Sequence, residues 1–260
     1  MRHPTAEMFR GLARSSPWRW RALSFELHRR PLHGPDHVVL GRLVRGVGLE
    51  VRLPRGELQR HDARRGTVGS FGPGVRPGTR TLPYAWELPV EVDADGLVVA
   101  RPGEPVADDP MWQDYQFVAM LDPVELADGT PRDPDRDPDA ARPAALDLHR
   151  VDATTRLGRE TWWAEVSPRE DYDPRCSCCP LLFGRVSEGA EAAAGGSTLR
   201  DQRPGLAYAT AYLVGLDVAT GVCVHVEHLD GDHAGRGFSL DVLGVDEDAE
   251  PSGGNRARLA

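Results

Sequence analysis

The chain has 260 residues, 40% of them apolar and 27% charged, with a formal charge of −9. It is long enough to bury a real core, and its composition is that of a globular domain rather than a low-complexity or disulfide-framework chain. No apolar stretch approaches the ~18 residues a membrane-spanning helix needs.

Lysine and isoleucine are absent, and all 31 basic residues are arginine, a bias that follows GC-rich coding. Charge is uneven: residues 1–65 hold 14 Arg against 6 acids, the remainder 17 Arg against 34 acids. The arginine-rich opening MRHPTAEMFRGLARSSPWRWRAL lacks the apolar core of a secretory signal, so the expectation is a cytoplasmic protein with reduced thiols.

Thr5 to Arg14 reads as a short helix, with Met8, Phe9 and Leu12 on one side and Pro17 after its end. ALSFELHRR then alternates, with Leu23, Phe25 and Leu27 facing one way. GVGLEVRLP repeats the pattern with Val47, Leu49, Val51 and Leu53 inward. WELPVEV is the third expected strand, turned by DADG into LVVA, since Asp-Gly suits the positive φ of a hairpin turn.

MWQDYQFVAML, Met111 to Leu121, is the central helix candidate, striped by Met111, Tyr115 and Val118. DPVE after it reads as a second helix start, with Asp122 as cap, Pro123 in the first turn and Glu125 completing a capping box. Residues 128–145, dense in Pro and Asp, read as a disordered loop inside one domain. Strands resume in ALDLHRV and RETWWAEV. A Gly/Ala/Ser-rich segment over about 187–204 is expected to be mobile. LAYATAYLVGLDVATGVCVHVEHLDGD reads as two strands around VATG, and GFSLDVLGVD as a final strand. The expected domain spans 1–246, with 247–260 as a disordered tail. The fold class is α+β, an antiparallel sheet with helices on one side.

Three phrases carry a resemblance: GLEVRLPRGELQRHDARRG, LGRETWWAEV, and LVGLDVATGVCVHVEHLDGD followed by GFSLDVLGVD. In their order, over most of residues 5–246, the chain resembles the LolA-like half-barrel group of lipoprotein carriers, RseB-type regulators and mycobacterial lipid-binding lipoproteins. The resemblance implies a strongly curved, open half-barrel whose concave side is covered by the N-terminal helix and a central broken helix. It implies a non-enzymatic protein that holds an apolar or amphipathic small molecule there. Trp86, Trp112, Tyr115, Phe117, Met120 and Trp163 are the large residues expected to line the site. Members of the group are exported, and the cysteine stretch is not one of their features; the chain departs from them in both respects.

That stretch, YDPRCSCCPLL, gives C-x-C-C at Cys176, Cys178 and Cys179. Structural zinc sites more often use C-x₂-C, but soft ligands in such number suit zinc, a redox role or a rigid turn. Cys223 and His225, two apart on a strand, are expected on one face, where they would complete a four-ligand zinc set. His228 and His233 stand in reserve. The alternative function is therefore a metal- or redox-responsive module, and a third is a protein–protein regulator on the same fold. No G-x-S-x-G, H-E-x-x-H, P-loop or dinucleotide fingerprint occurs, so no catalytic residue is assigned. Overall acidity, with no glycine-aromatic sheet signature, argues against nucleic acid as a partner.

Overall fold

The computed structural model describes residues 3–70, 78–130 and 142–247. The centre of the expected 128–145 loop and all but the first residue of the expected tail lie outside them.

The order is α1 (Ala6–Arg19), β1 (Ala22–Arg30), β2 (His37–Val44), β3 (Gly48–Arg52), β4 (Leu58–Asp62), β5 (Thr67–Ser70), β6 (Gly78–Thr81), α2 (Tyr115–Leu121), β7 (Leu146–Arg156), β8 (Arg159–Pro168), α3 (Arg185–Ala193), α4 (Leu199–Gln202), β9 (Tyr212–Asp217), β10 (Cys223–His228) and β11 (Gly237–Val245). Nine strands make one antiparallel sheet ordered β4-β3-β2-β1-β11-β10-β9-β8-β7, while β5 and β6 pair separately. Two meanders, one from each end of the chain, thus join through β1 and β11, whose register runs from Leu23 opposite Val245 to Arg30 opposite Gly237. The sheet stays open, with β4 and β7 at its ends. The class is α+β, as expected. Among the described residues no helix is long and apolar enough to cross a membrane.

The period-2 pattern is realised in β1 and in the first half of β11. Leu23, Phe25 and Leu27 of β1 are buried on one face together with Phe238 and Leu240 of β11. Phe117 of α2 packs on that face, its ring centroid 5.8 Å from that of Phe25. Phe25 also lies across Gly41 of β2, where a Cβ would stand 2.2 Å from the ring. Because Phe25 is wholly buried it cannot move aside. Gly41→Ala is expected to destabilise by about 2 kcal/mol, the scale of overpacking a filled core. Equal midpoints for variant and parent in urea unfolding would refute this.

Several local expectations are corrected. Helix α1 runs on through Pro17 to Arg19. Its last turns are held by tertiary bonds: Ser15 Oγ accepts from Val98 N at 2.8 Å, and Ser16 Oγ donates to Leu121 O at 2.6 Å. Residues 86–92 form a short 3₁₀ turn (Ala85–Glu87) and an isolated bridge from Val92 to Val98, not a strand, although the DADG turn is present and Asp93 Oδ1 accepts from Asp95 N and Leu97 N. Helix α2 starts four residues late because Gln113, between the bridged Trp112 and Asp114, adopts φ +64°, outside the helical region. Met111 is therefore exposed and Trp112 turns into the core. Residues 187–204 carry most of α3 and all of α4, with Ser187 and Glu188 buried. Val47, read as inward, is exposed in the turn before β3. Strands β2 and β4 were not anticipated.

Candidate functional site: a cysteine loop anchored on a buried glutamate

The loop 172–182 lies between β8 and α3. Pro174 and Pro180 bracket it, and Cys179 N donates to Cys176 O at 3.3 Å, closing a tight turn over the three cysteines. The turn brings the neighbours Cys178 and Cys179 to bear on one point, which an extended chain would prevent. Cys176 Sγ lies 2.9 Å from Cys178 Sγ, and Cys178 Sγ lies 3.7 Å from Cys179 Sγ. All three sulfurs fall within 4.8 Å of one another. A cysteine cluster able to hold a metal ion is therefore present.

Glu125 fixes this loop. Its Oε2 accepts from Arg175 N at 2.9 Å, and its Oε1 accepts from Leu181 N at 2.8 Å and from Tyr172 Oη at 2.5 Å. One carboxylate thus grips the chain immediately before the first cysteine and immediately after Pro180. It does so from a 3₁₀ turn (Val124–Leu126), not as the helix cap the sequence suggested, and it is 1% exposed. Burial pushes the Glu125 carboxyl above the usual range, with the three donated bonds opposing. Its neighbour Asp122, the other expected cap, instead accepts from Arg101 at 2.5 Å and from Arg175 at 3.0 Å. Burial would raise Asp122, but the two guanidiniums outweigh it and hold the carboxyl below its ordinary value. Gln116 Nε2 adds a bond to Pro180 O at 2.9 Å.

The thiols are unequal. Burial would raise Cys176, yet hydrogen bonds from Cys178 and Cys179 lower it below the ordinary thiol value. Cys178 is raised, chiefly by its bond to Cys176, and Cys179 is raised, chiefly by burial. The three thiols already converge, so a cation that displaces their protons meets ligands in place.

Cys223 and His225 do not join it, contrary to expectation. A bulge between them puts Cys223 in the core opposite Leu216 and His225 on the other face opposite Gly215. Cys223 is wholly buried, which raises its thiol, and its Sγ contacts His225 O at 3.5 Å. The His225 ring packs against Trp163, 5.2 Å between centroids. Two residues on a strand share a face only where the pleat is regular, and here it is not. His228 and His233 form a separate ring pair 6.3 Å apart, outside the cysteine group.

The six expected lining residues do not gather around one cavity. Trp112, Phe117 and Met120 are core, with Trp112 Nε1 donating to Gln59 Oε1 at 3.0 Å. Tyr115 Oη donates to Asp108 at 2.6 Å, which with burial pushes the phenol up to about 12. Trp86 stacks on Tyr84 at 4.3 Å. Trp163 sits on the opposite sheet face from Trp162, and its Nε1 donates to Thr154 Oγ1 at 2.8 Å. Aromatic side chains are the cheapest way to fill a core, and most do so here.

Cavities lie elsewhere, with charged residues in their mixed linings. One of about 330 Å³ is bordered by Trp18, Arg101, Glu125, Asp128 and Arg175. Another of about 150 Å³ is bordered by Cys178, Cys179, Arg29, Asp114 and His228. Glu26, His28 and Asp241 also converge, and there Arg156 donates to Asp241 while Glu26 bonds His28. The sequence reading missed Glu125 as an anchor and Arg29 as a cavity residue. The one signal for Glu125 was a lone acid inside the apolar run VELA. No protein-family model matches this chain, and no curated protein matches it.

Proposed function

We propose that the protein is a non-enzymatic binding module whose site is a soft-metal centre formed by Cys176, Cys178 and Cys179, with zinc(II) as the ion. The observation that carries this reading is the convergence of three sulfurs within 4.8 Å on a loop tied at both ends to a buried carboxylate. Around a tetrahedral ion at the usual Zn–S length of about 2.3 Å, sulfurs stand roughly 3.8 Å apart. The Cys178–Cys179 separation of 3.7 Å matches that spacing, and the Cys176–Cys178 separation of 2.9 Å would widen by side-chain rotation on binding. Metal uptake would displace the thiol protons in favour of one dication.

At the level of fold we propose that the open nine-stranded sheet is a half-barrel of the LolA-like kind. Support comes from the succession of helix, meander, helical insertion and second meander. An apolar guest in its concave face has less support, because Trp112, Phe117 and Met120 already fill the space between sheet and insertion.

Metal analysis of full-length protein, purified under reducing conditions, tests the centre. One zinc per chain is expected, and Cys176→Ser with Cys178→Ser should weaken binding by roughly 100-fold or more while leaving the fold intact, since neither thiol belongs to the core. Wild-type protein that retains no zinc and cycles only to a Cys176–Cys178 disulfide would replace the metal reading with the redox one.

A further inference from the structure

Of the three cysteines on the loop, Cys178 is exposed, while Cys176 and Cys179 are partly buried. Cys178 also carries the middle sulfur, 2.9 Å from that of Cys176 and 3.7 Å from that of Cys179. The centre is therefore most open to solvent at a sulfur that has a second sulfur within reach on either side. Cys223, wholly buried in the core, lies outside the group.

Geometry separates the two possible partners of Cys178. Cys179 is its neighbour, with Cα atoms about 3.8 Å apart across the peptide bond, short of the roughly 4.4–6.8 Å a disulfide spans. Cys176 stands two residues away in the turn closed by Cys179 N and Cys176 O. Its sulfur is the nearer, and a bond to Cys178 asks it to close from 2.9 Å to about 2.05 Å. A disulfide at the surface, closed over the single residue Ser177, is of the strained and exposed kind that thiols reduce again. Charge limits the oxidant. Ser177 Oγ donates to Glu191, whose charge reaches Cys178. That carboxylate opposes an anionic oxidant such as a glutathione-type disulfide and leaves a neutral hydroperoxide unopposed.

We propose, building on the metal centre above, that Cys178 and Cys176 form an oxidation site through which a hydroperoxide releases the zinc. The metal-bound Cys178 sulfur attacks one peroxide oxygen and the O–O bond breaks. The other oxygen leaves as an alcohol, or as water from hydrogen peroxide, taking a proton from solvent. Cys178 is then a sulfenic acid. The Cys176 sulfur attacks the Cys178 sulfur, the S–S bond forms, and the sulfenic oxygen leaves as water with a second proton from solvent. The two sulfurs give up two electrons and the peroxide takes them. Cys179 remains as the one thiolate, too few ligands to hold the ion.

Full-length zinc-loaded protein, freed of excess metal and treated with hydrogen peroxide beside a colorimetric zinc indicator, tests this. One equivalent of zinc per chain should appear, with loss of two hydrogens from the tryptic peptide 176–185, which carries all three loop cysteines. A thiol reductant and fresh zinc should restore the starting state. Oxidised glutathione at the same concentration should release zinc about tenfold more slowly or worse. Zinc-free, reduced variants identify the pair without depending on metal affinity. Cys179→Ser should still form the disulfide, whereas Cys176→Ser should stop at a Cys178 sulfenic acid that dimedone captures. Zinc retained under excess hydrogen peroxide, zinc lost without the disulfide, a disulfide in Cys176→Ser, or equal rates with the two oxidants would overturn the proposal and leave the metal centre standing. Protein that never holds zinc would overturn the metal centre and the proposal together.

Discussion

Glu125→Ala is expected to lower the unfolding free energy by about 4 kcal/mol and to weaken zinc binding by at least roughly tenfold. Three buried donors, Arg175 N, Leu181 N and Tyr172 Oη, lose their acceptor at once. Each such loss costs about 1–3 kcal/mol, and relief from burying the carboxylate returns part of the total. In a domain of this size that corresponds to a fall in Tm of roughly 10 °C. The metal effect follows because the cysteines stay in the loop but the loop is no longer held at its two ends, as when an outer-shell partner of a ligand is removed. Glu125→Gln keeps the volume and one acceptor oxygen, so it should lose about half as much stability. Calorimetry and a competitive zinc chelator report the two effects separately. A thermal midpoint within 2 °C of the parent for the alanine variant would remove Glu125 from its assigned role, by the same scaling.

Acidification from pH 7.5 to pH 5.0 is expected to cost about 2 kcal/mol for each of His225 and His228. Burial holds both rings neutral and lowers them to about 4 from an ordinary 6.5. Glu227 opposes the shift at His225 while Arg30 and Arg156 add to it; at His228 the neighbour His233 adds to it and Asp230 opposes. A base whose folded value is depressed stabilises the fold fully above the unfolded value, and that stability is lost as pH falls from 6.5 toward 4. The loss arises because the unfolded chain takes up protons that the folded chain refuses. Buried carboxyls raised by desolvation, Glu125 and Asp109, carry the opposite sign and blunt the total. The His228→Phe variant isolates the histidine: its stability should fall about 2 kcal/mol less than the parent's over the same interval. Ring-proton titration by NMR should show two histidines still neutral at pH 5. Two rings titrating near 6.5 would contradict the burial argument.

Much of the sheet was legible before any tertiary information. Strands β1, β8, β9, β10 and β11 lie where they were read, with the alternation clearest in β1, and the turns DADG and VATG fall where Asp-Gly and Thr-Gly place them. Strand β2, HVVLGRLV, escaped because an exposed Leu40 and a central glycine blur its alternation. The short α2 could not be read, since the positive φ at Gln113 is imposed by what surrounds it: Asp114 turns to Arg29 and Trp112 to Gln59. The C-x-C-C stretch was visible as a ligand set, while Cys223 and His225 were assigned to it on a regular pleat that the bulge breaks.

By itself, then, the sequence determined the α+β class, most strand positions and the presence of three adjacent soft ligands, because alternation, turn chemistry and residue type are properties of neighbouring residues. Only the tertiary structure decided what those ligands are attached to. Glu125 meets donors 47 to 56 residues further along the chain, and Arg29 meets Asp114 from 85 residues away. Local pattern carries no information about which buried carboxylate or guanidinium will arrive opposite a loop. That pairing is set by the packing of the insertion against the sheet, where an unpaired buried charge would cost more than the fold could sustain.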